Sequence, residues 1–403
     1  MAQKIPYWKS NRFLGAFVRK EGDDGCVVCK DERIRLSLDR PPPPLRDQPP
    51  KPKPVVEKKK KDDDEFLMNV IGGIHKVVDT RRRFSAWLDR PTVPEPVKKL
   101  EAAASKRMTD AVCFDLQDIP GTINKLGMPK AAAMFDKWFA GELNYSPNEE
   151  DSRLELNQHG LPYSEAMIDK KSISLDWVLG FSRAKTAFDV LRRNDNLVTP
   201  KSIKVLKKIF NEHAGKYEVR TDVECKGDIQ LIHKDFQFQL ATVEGSWGQK
   251  IDQFMMREVL FRGIPDELTL ILGSFNLYAA ISRMVFGNDV DGRFGLVTHI
   301  YIYAKDGFTF TDGDREASQY LGHWNKKSIA VVPLQEALLV TTKKGWIDHP
   351  VFQDPLRGDF SILYPVKNSD FRAWQLAHKQ GGDFIIYTDK IGVGLAQPIK
   401  VYL

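Results

Sequence analysis

Cysteine is scarce in this sequence, which has four cysteines in 403 residues, too few and too scattered for a disulfide-stabilised scaffold. Long hydrophobic runs are missing too, because no stretch reaches the ~18 apolar residues that a membrane span needs. The nearest, residues 268–282, is interrupted by Gly273 and Asn276. The first residues lack the apolar segment of a secretory signal. The sequence therefore predicts a chain that is synthesised in the cytoplasm and has no transmembrane segment.

Familiar catalytic motifs are absent as well. The sequence has no P-loop, no Gly-x-Gly-x-x-Gly before a helix, no His-Glu-x-x-His and no Gly-x-Ser-x-Gly. Positive charge is only mildly in excess, with a net charge of +6 that is partly concentrated in residues 58–61 and 81–83. A dedicated nucleic-acid-binding protein is usually more basic. These features disfavour a nucleic-acid partner and leave the reaction class open.

The N-terminal part of the chain divides into two segments. Residues 1–40 are predicted to form a small basic head, which contains Cys26 and Cys29. Residues 41–64 are rich in proline and lysine, a composition that favours an extended polyproline linker. The two cysteines have the spacing of a metal or redox site. A structural zinc site needs four ligands, however, and no second pair follows, so two ordinary small residues are the competing interpretation.

Residues 65–215 are predicted to be a helical region. Apolar residues recur at helical spacing within 129–141, 174–193 and 199–215, which indicates three amphipathic helices. Pro129 suits the first turn of the first helix, and Ser174 suits the N-cap of the second. In the third helix, Val205 and its neighbours at 206 and 209 are expected to face the core.

Residues 216–403 are predicted to be rich in short, mostly antiparallel strands. Apolar and polar residues alternate in 235–240, 299–303 and 308–311. The dipeptide Asp306-Gly307 lies between two alternating runs, which predicts a hairpin turn there. Residues 266–286 predict a short helix that ends near Gly273, followed by a strand. The fold class is therefore α+β: an amphipathic helical region followed by a β-rich domain, for which a twisted sheet, a sandwich and a partial barrel remain open.

Several polar residues of the β-rich region are candidates for catalysis. His323 is the first, because an imidazole with a pKa near neutrality can accept a proton at pH 7. Asp312, Asp383 and Asn325 fall at predicted strand ends or turns, where they could orient His323 or bind a divalent metal. His233 precedes a strand and is expected to meet His323 across the sheet. Turns also require Asp and Asn for purely structural reasons, which is the alternative.

Three further residues are candidates for binding. Arg372 and Trp374 fall in a predicted short helix, and Trp324 follows His323 directly. A guanidinium suits phosphate or carboxylate, and tryptophan is common at interfaces. A structural ion pair for Arg372 and core packing for the tryptophans are the alternatives.

Five segments give the chain a resemblance to a bacterial family whose members are encoded beside type VI secretion spike proteins. These segments are Asp115-Leu-Gln-Asp-Ile-Pro-Gly, Trp138-Phe, Leu175-Asp-Trp-Val-Leu-Gly-Phe-Ser-Arg-Ala, Ser318-Gln-Tyr-Leu-Gly-His-Trp-Asn and Gly381-Gly-Asp-Phe-Ile-Ile-Tyr-Thr-Asp. The resemblance covers residues 110–403. It implies an antibacterial effector, or toxin, that is loaded on a secretion spike or adaptor protein and leaves the cell without a signal peptide. A cognate immunity protein would be a further partner, and the head would be the loading segment.

Three functions are compatible with that context. The first is a hydrolase that acts on an envelope precursor or nucleic acid through its β-rich domain. The second is a membrane-disrupting toxin without enzymatic activity, and the third is an adaptor or structural protein of the secretion apparatus. A weaker resemblance to colicin M-like toxins, which cleave the lipid-linked peptidoglycan precursor, rests on Asp306-Gly-Phe-Thr, where those toxins have Asp-x-Tyr-Asp.

Overall fold

The described part of the chain covers most of residues 113–403 and a few N-terminal pieces. The computed structural model describes, as backbone strands, residues 3–6, 8–11, 16–19, 26–29 and 351–352, and in further detail residues 36–46, 113–243, 264–312, 318–330 and 362–403. All of them belong to one compact unit, Met1–Arg46 with Met108–Leu403. The predictions for residues 47–64 and 65–112 lie outside the described residues.

The helices concentrate between residues 119 and 236. They are α1 (Ile119–Lys125), α2 (Pro129–Phe139), α3 (Glu149–Arg153), α4 (Leu175–Leu179), α5 (Ser182–Leu191), α6 (Asn194–Leu197), α7 (Pro200–Glu212), α8 (Thr221–Glu224), α9 (Ile229–Phe236), α10 (Glu267–Leu272) and α11 (Asn368–His378). Short 3-10 helices cover Leu116–Asp118 and Glu165–Met167.

The strands concentrate after residue 236. They are β1 (Gln3–Pro6), β2 (Trp8–Asn11), β3 (Ala16–Arg19), β4 (Cys26–Cys29), β5 (Ile168–Asp169), β6 (Glu218–Arg220), β7 (Gln237–Val243), β8 (Phe275–Asp289), β9 (Gly292–Phe308), β10 (Tyr320–Trp324), β11 (Ile329–Ala330), β12 (Val351–Phe352), β13 (Ile362–Lys367), β14 (Phe384–Tyr387) and β15 (Ile391–Tyr402).

The main sheet is built around the long hairpin of β8 and β9. Its strand order is β5-β14-β9-β8-β6, with β15 paired to β9 and β7 paired to β8. All of its described pairings are antiparallel except that of β14 with β5. The predicted α+β class is therefore confirmed, with the helical part before the sheet, and the sheet curls into a half-barrel.

A second sheet has the order β11-β10-β13-β12-β2-β3, and β1 pairs with β4 in a two-stranded sheet. Strands of the predicted head thus pair with strands of the C-terminal region, since β2 lies parallel to β12. The first residues of the predicted linker are also held: Arg46 N donates to Ala140 O at 2.9 Å, and Gln380 Nε2 donates to Pro43 O at 2.8 Å.

Helix α2 begins at Pro129, as predicted, and a residue from another element fixes its start. Pro129 occupies its first turn, and Glu267 Oε1 accepts hydrogen bonds from Lys130 N at 2.5 Å and Ala131 N at 3.1 Å. A carboxylate from another element thus satisfies amides that the helix itself leaves unpaired. The predicted stripe of 131, 134, 135, 138 and 139 is buried, as the periodicity indicated.

Three local predictions need correction. The helix predicted over 174–193 is two helices, because the chain breaks at Gly180 and α5 begins at Ser182; Ser174 caps the first of them. Val205 is 37% exposed on α7, while Leu206 and Ile209 are buried. The hairpin predicted at Asp306 is absent.

The real hairpin turn lies 16 residues earlier, between Asp289 and Gly292. Asp289 Oδ1 accepts a hydrogen bond from Asp291 N at 3.0 Å, and Gly292 has φ +121°. Asp306 and Gly307 instead continue β9, where they pair with Ile386 and Ile385 of β14. The turn prediction from this dipeptide was wrong because pairing with β14 stabilises the extended conformation there. The helix ending at Leu272 and the strand starting at Phe275 confirm the prediction for 266–286.

An aromatic core joins α2, α11 and the end of β9. Phe310 and Phe371 stack with ring centroids 3.7 Å apart, and Trp138 contacts both rings edge to face. Trp374 and Phe139 extend the cluster. Helices from both sides of residue 215 therefore pack on the same sheet, although the predicted domain boundary at 215/216 stays a prediction.

One close approach in the sheet requires a glycine. A Cβ at Gly295 of β9 would lie no farther than 2.7 Å from three carbons of the fully buried Phe210 ring of α7. We expect Gly295→Ala to lower the free energy of unfolding by about 1–3 kcal/mol, because the packed ring has no space to move into. Urea denaturation followed by circular dichroism measures this.

The matched control is Gly121→Ala, at an exposed position of α1 where nothing lies within 4 Å of the added Cβ. That change should be neutral or stabilise the protein by about 0.5–1 kcal/mol. Equal effects of the two substitutions would contradict the close packing of α7 on β9.

Candidate active site

A group of polar and ionisable side chains collects on one face of the main sheet, where β8, β9 and β14 meet α9. Tyr278 and Tyr303 are direct register partners on β8 and β9. Lys305 follows Tyr303 by two residues and so lies on the same face, opposite Tyr387 of β14. His233 of α9 completes the group, with its ring edge to face against Tyr278 at a centroid distance of 4.8 Å. We call these five residues the His233 cluster.

Hydrogen bonds fix the tautomer of His233. Its Nδ1 lies 2.9 Å from the Tyr303 hydroxyl oxygen, and its Nε2 lies 3.3 Å from Lys305 Nζ. An ammonium group has only donors, so Nε2 must accept, and the single ring proton then resides on Nδ1 and is donated to Tyr303. The three residues thus form a directional relay from Lys305 through His233 to Tyr303.

Burial keeps the histidine and the phenols uncharged. Desolvation, followed by the charge of Lys305, lowers the pKa of His233 to about 3, so the ring is neutral at pH 7. Desolvation also raises the pKa values of Tyr278, Tyr303 and Tyr387, so their hydroxyl groups keep their protons. The cluster therefore offers a neutral imidazole and protonated phenols beside one ammonium group.

Two carboxyl groups accompany Lys305: Glu155 contacts its side chain, and Asp306 follows it in β9 and faces the other side of the sheet. Lys305 forms an ion pair with Glu155, and the two side chains are 17% and 24% exposed. Asp306 as a residue is half-buried, but its carboxyl is enclosed by protein, and this desolvation raises its pKa to about 8. Asp306 is thus driven towards its protonated form by burial.

His323, the first candidate from the sequence, lies elsewhere. It is fully buried in β10, where it pairs with Ala330 and Pro365 in the second sheet. Its Nδ1 forms a hydrogen bond with the hydroxyl of Tyr320. The hydrogen bonds and ring contacts of His323 and His233 go to different residues of different sheets, so the expected meeting of the two histidines is not found.

The residues around His323 have structural roles. Asn325 Oδ1 accepts from the amides of Lys327 and Ser328, both at 2.8 Å, and so forms the turn after β10. Trp324 is buried and donates its indole N–H to Leu321 O at 3.1 Å. Asp312 Oδ1 accepts from Gln319 N at 2.9 Å. For these three residues the turn and packing alternatives account for what is observed.

Asp383 and Arg372 are brought together, but inside the aromatic core. Asp383 Oδ1 accepts from the Trp138 indole at 2.8 Å, and its Oδ2 lies 3.6 Å from Arg372 Nη2. Desolvation raises the pKa of this fully buried carboxyl to about 6, against the opposing effect of Arg372. Arg372 also donates to Gln375 Oε1 at 2.6 Å. Trp374 packs in the same core, so this group is a structural network.

A metal site is not apparent in the described ranges. Between 36 and 403, with their gaps, no group of three or more His, Cys, Asp or Glu side chains could hold an ion. Lys305 and Tyr303 of the relay, and Glu155 beside it, were missed in the sequence. The signal for Tyr303 and Lys305 was the alternation in 299–305, which places both on one face of a strand, whereas Glu155 had no local signal.

Comparison with known proteins gives a family without an assigned activity. Residues 114–403 match a family of unknown function, DUF6402, so the chain belongs to that family. The match includes the His233 cluster. No curated protein and no solved structure matches the chain. No helix in the described part of the chain has the length and apolarity to cross a membrane.

The relay geometry makes a prediction for His233 in NMR titrations. The ring should stay neutral, with its proton on Nδ1, from pH 7 down to about pH 4, because its pKa lies near 3. In Lys305→Met the proton should no longer be fixed on Nδ1, and the pKa should rise but stay below 6.5, since burial is the larger cause. Nitrogen-15 chemical shifts of the ring report both quantities.

The same pKa has a consequence for stability. The folded-state pKa of His233 lies below its ordinary value of 6.5, so the stability that the neutral ring contributes is present above pH 6.5 and is lost as the pH falls towards 3. His233→Gln should therefore remove this rise of stability with pH, so the free energy of unfolding of the wild type minus that of the variant should increase between pH 3 and pH 6.5. Protonation of the native ring above about pH 5 would contradict the buried relay.

Proposed function

We propose that this protein is an antibacterial effector exported by a type VI secretion apparatus, and that it is a hydrolase whose acid–base site is the His233 cluster. The observation that carries the enzymatic part is the relay Lys305–His233–Tyr303 on one face of the main sheet. Packing alone does not require an ammonium group, an imidazole and three phenols on one face of a sheet. The effector context is supported by the resemblance of residues 110–403.

The relay assigns a role to each group. The Lys305 ammonium is the proton donor to a leaving group. As the bond to the leaving group breaks and takes the Lys305 proton, the charge that helps depress the pKa of His233 disappears, so the imidazole becomes a better base and takes a proton at Nε2 from the water that forms the new bond. That proton then passes from His233 Nε2 to Lys305 Nζ, which restores both groups. Tyr303 holds the Nδ1 proton in place, and Tyr278, which is only half-buried, borders the side where a substrate can approach.

The surroundings of the cluster favour an envelope precursor over nucleic acid. Glu155 forms an ion pair with the single ammonium, so the site is not a basic surface for a phosphate backbone. Leu240, the register partner of Tyr278, is 43% exposed and gives the rim an apolar element. A polar group attached to an apolar chain fits this combination better than a polyanion.

The test is growth of a susceptible bacterial host that expresses the full chain, once in the cytoplasm and once exported to the periplasm. Killing should occur from one compartment and should fall about 10²-fold or more in Lys305→Met and His233→Gln, the usual effect of losing an acid–base group. The compartment identifies the substrate class.

Matched controls separate chemistry from packing. Lys390, whose ammonium lies 5.2 Å from the Tyr301 ring centroid, is a second lysine in the connection between β14 and β15, and His299 is exposed on β9. Lys390→Met and His299→Gln should kill like the wild type. Killing that survives both relay substitutions, together with dye release from liposomes, would favour the membrane-disrupting toxin. No killing from either compartment, with tight binding to a spike protein, would favour the adaptor.

A further inference from the structure

Glu155 stands at an unusual place in the backbone. It follows α3 with φ +56°, in the left-handed region. Leu156 N donates to Asp151 O at 2.8 Å and Glu155 N donates to Ser152 O at 3.2 Å, the hydrogen bonds of a Schellman ending. Glycine is the usual residue at this position, because any side chain is strained there.

A second helix of the same chain ends in the same way and provides a comparison. After α8, Lys226 has φ +52°, and the two equivalent hydrogen bonds measure 2.8 and 3.2 Å. A lysine at that end of a helix is favoured by the unpaired carbonyl groups, whereas a glutamate is disfavoured by them. Glu155 is therefore unfavourable twice, in its backbone conformation and in its charge.

Two buried residues hold Glu155 in this conformation. Ser146 is fully buried, donates its hydroxyl to Leu156 O at 2.8 Å and lies 3.0 Å from the Tyr163 hydroxyl. Tyr163 N donates to Glu155 O at 3.0 Å. The carbonyl groups of residues 155 and 156 are thus both fixed from the same side, and the Glu155 carboxylate reaches Lys305.

We infer that Glu155 is a positioning residue of the His233 cluster, held in place by Ser146 and Tyr163. Its carboxylate fixes the Lys305 ammonium so that one N–H of Lys305 points at His233 Nε2. A glutamate at a position that favours glycine lowers stability locally, and its role in orienting the relay is what it provides in return. This inference rests on the proposed function for its biological meaning, but the contact that it describes can be tested without any killing assay.

The experiment compares Glu155→Gly with Lys226→Gly in the full chain. Both changes relieve the left-handed strain, but Glu155→Gly also removes the partner of Lys305, so the melting temperature should rise more in Lys226→Gly. Only Glu155→Gly should increase the modification of Lys305 by an amine-specific reagent, several-fold by mass spectrometry, and should also release the Nδ1 tautomer of His233 in nitrogen-15 NMR. Killing should fall about tenfold or more in Glu155→Gly alone, as when a group supporting a reacting side chain is lost.

A third variant, Glu155→Gln, keeps the side-chain length and loses only the charge. It should behave like Glu155→Gly for Lys305 modification but should melt at a lower temperature than Glu155→Gly, because the left-handed strain remains. Unchanged Lys305 reactivity and an unchanged His233 tautomer in both variants would overturn the inference. If these signals change while killing persists in Lys305→Met, the proposed function fails and the positioning role stands.

Discussion

The hydrogen bond from the Trp138 indole to the buried Asp383 carboxylate is the contact around which the rest of the structure is arranged. Donor and acceptor are both fully buried and are 2.8 Å apart. The same oxygen lies 3.3 Å from Gln375 Nε2, and Arg372 approaches the other oxygen. A buried carboxylate is tolerated only when such partners surround it, so α2, α11 and the start of β14 are held at fixed distances from one another.

This arrangement extends from the core to the candidate site through the backbone. Asp383 N donates to Asn144 O at 2.8 Å, and Asn144 Nδ2 donates to Asp383 O at 2.6 Å. Asn144 begins the segment that contains Ser146 and Glu155. The Arg372 guanidinium lies over the Tyr145 ring at 4.1 Å and holds the same segment. The position of the Glu155 carboxylate on Lys305 thus depends on packing around Trp138.

The sequence predicted what depends on periodicity and missed what depends on distant contacts. The buried stripe of α2 and the helix-to-strand change near Gly273 were read correctly, because apolar spacing and a helix-ending glycine are local signals. The turn predicted at Asp306-Gly307 was wrong, because pairing with β14, 80 residues later in the chain, outweighs the local preference of this dipeptide for a turn. His233 was chosen as a histidine that precedes a strand and was expected to meet His323, which it does not. Its partners Tyr303 and Lys305 lie 70 and 72 residues away, and no local pattern joins them.

Burial makes the stability contributions of Asp383, in the aromatic core, and of His233, in the candidate site, depend on pH in opposite directions. Asp383 has a pKa raised from 3.8 to about 6, so between these values the folded state binds a proton that the unfolded state releases, and stability falls as the pH rises. His233 has a pKa lowered from 6.5 to about 3, so in the same interval stability rises with pH. The two slopes oppose each other between about pH 4 and pH 6. The buried carboxylate of the core and the buried neutral imidazole of the site therefore offset each other's effect on stability. In that interval the fold keeps both groups, and the pair adds little net pH dependence.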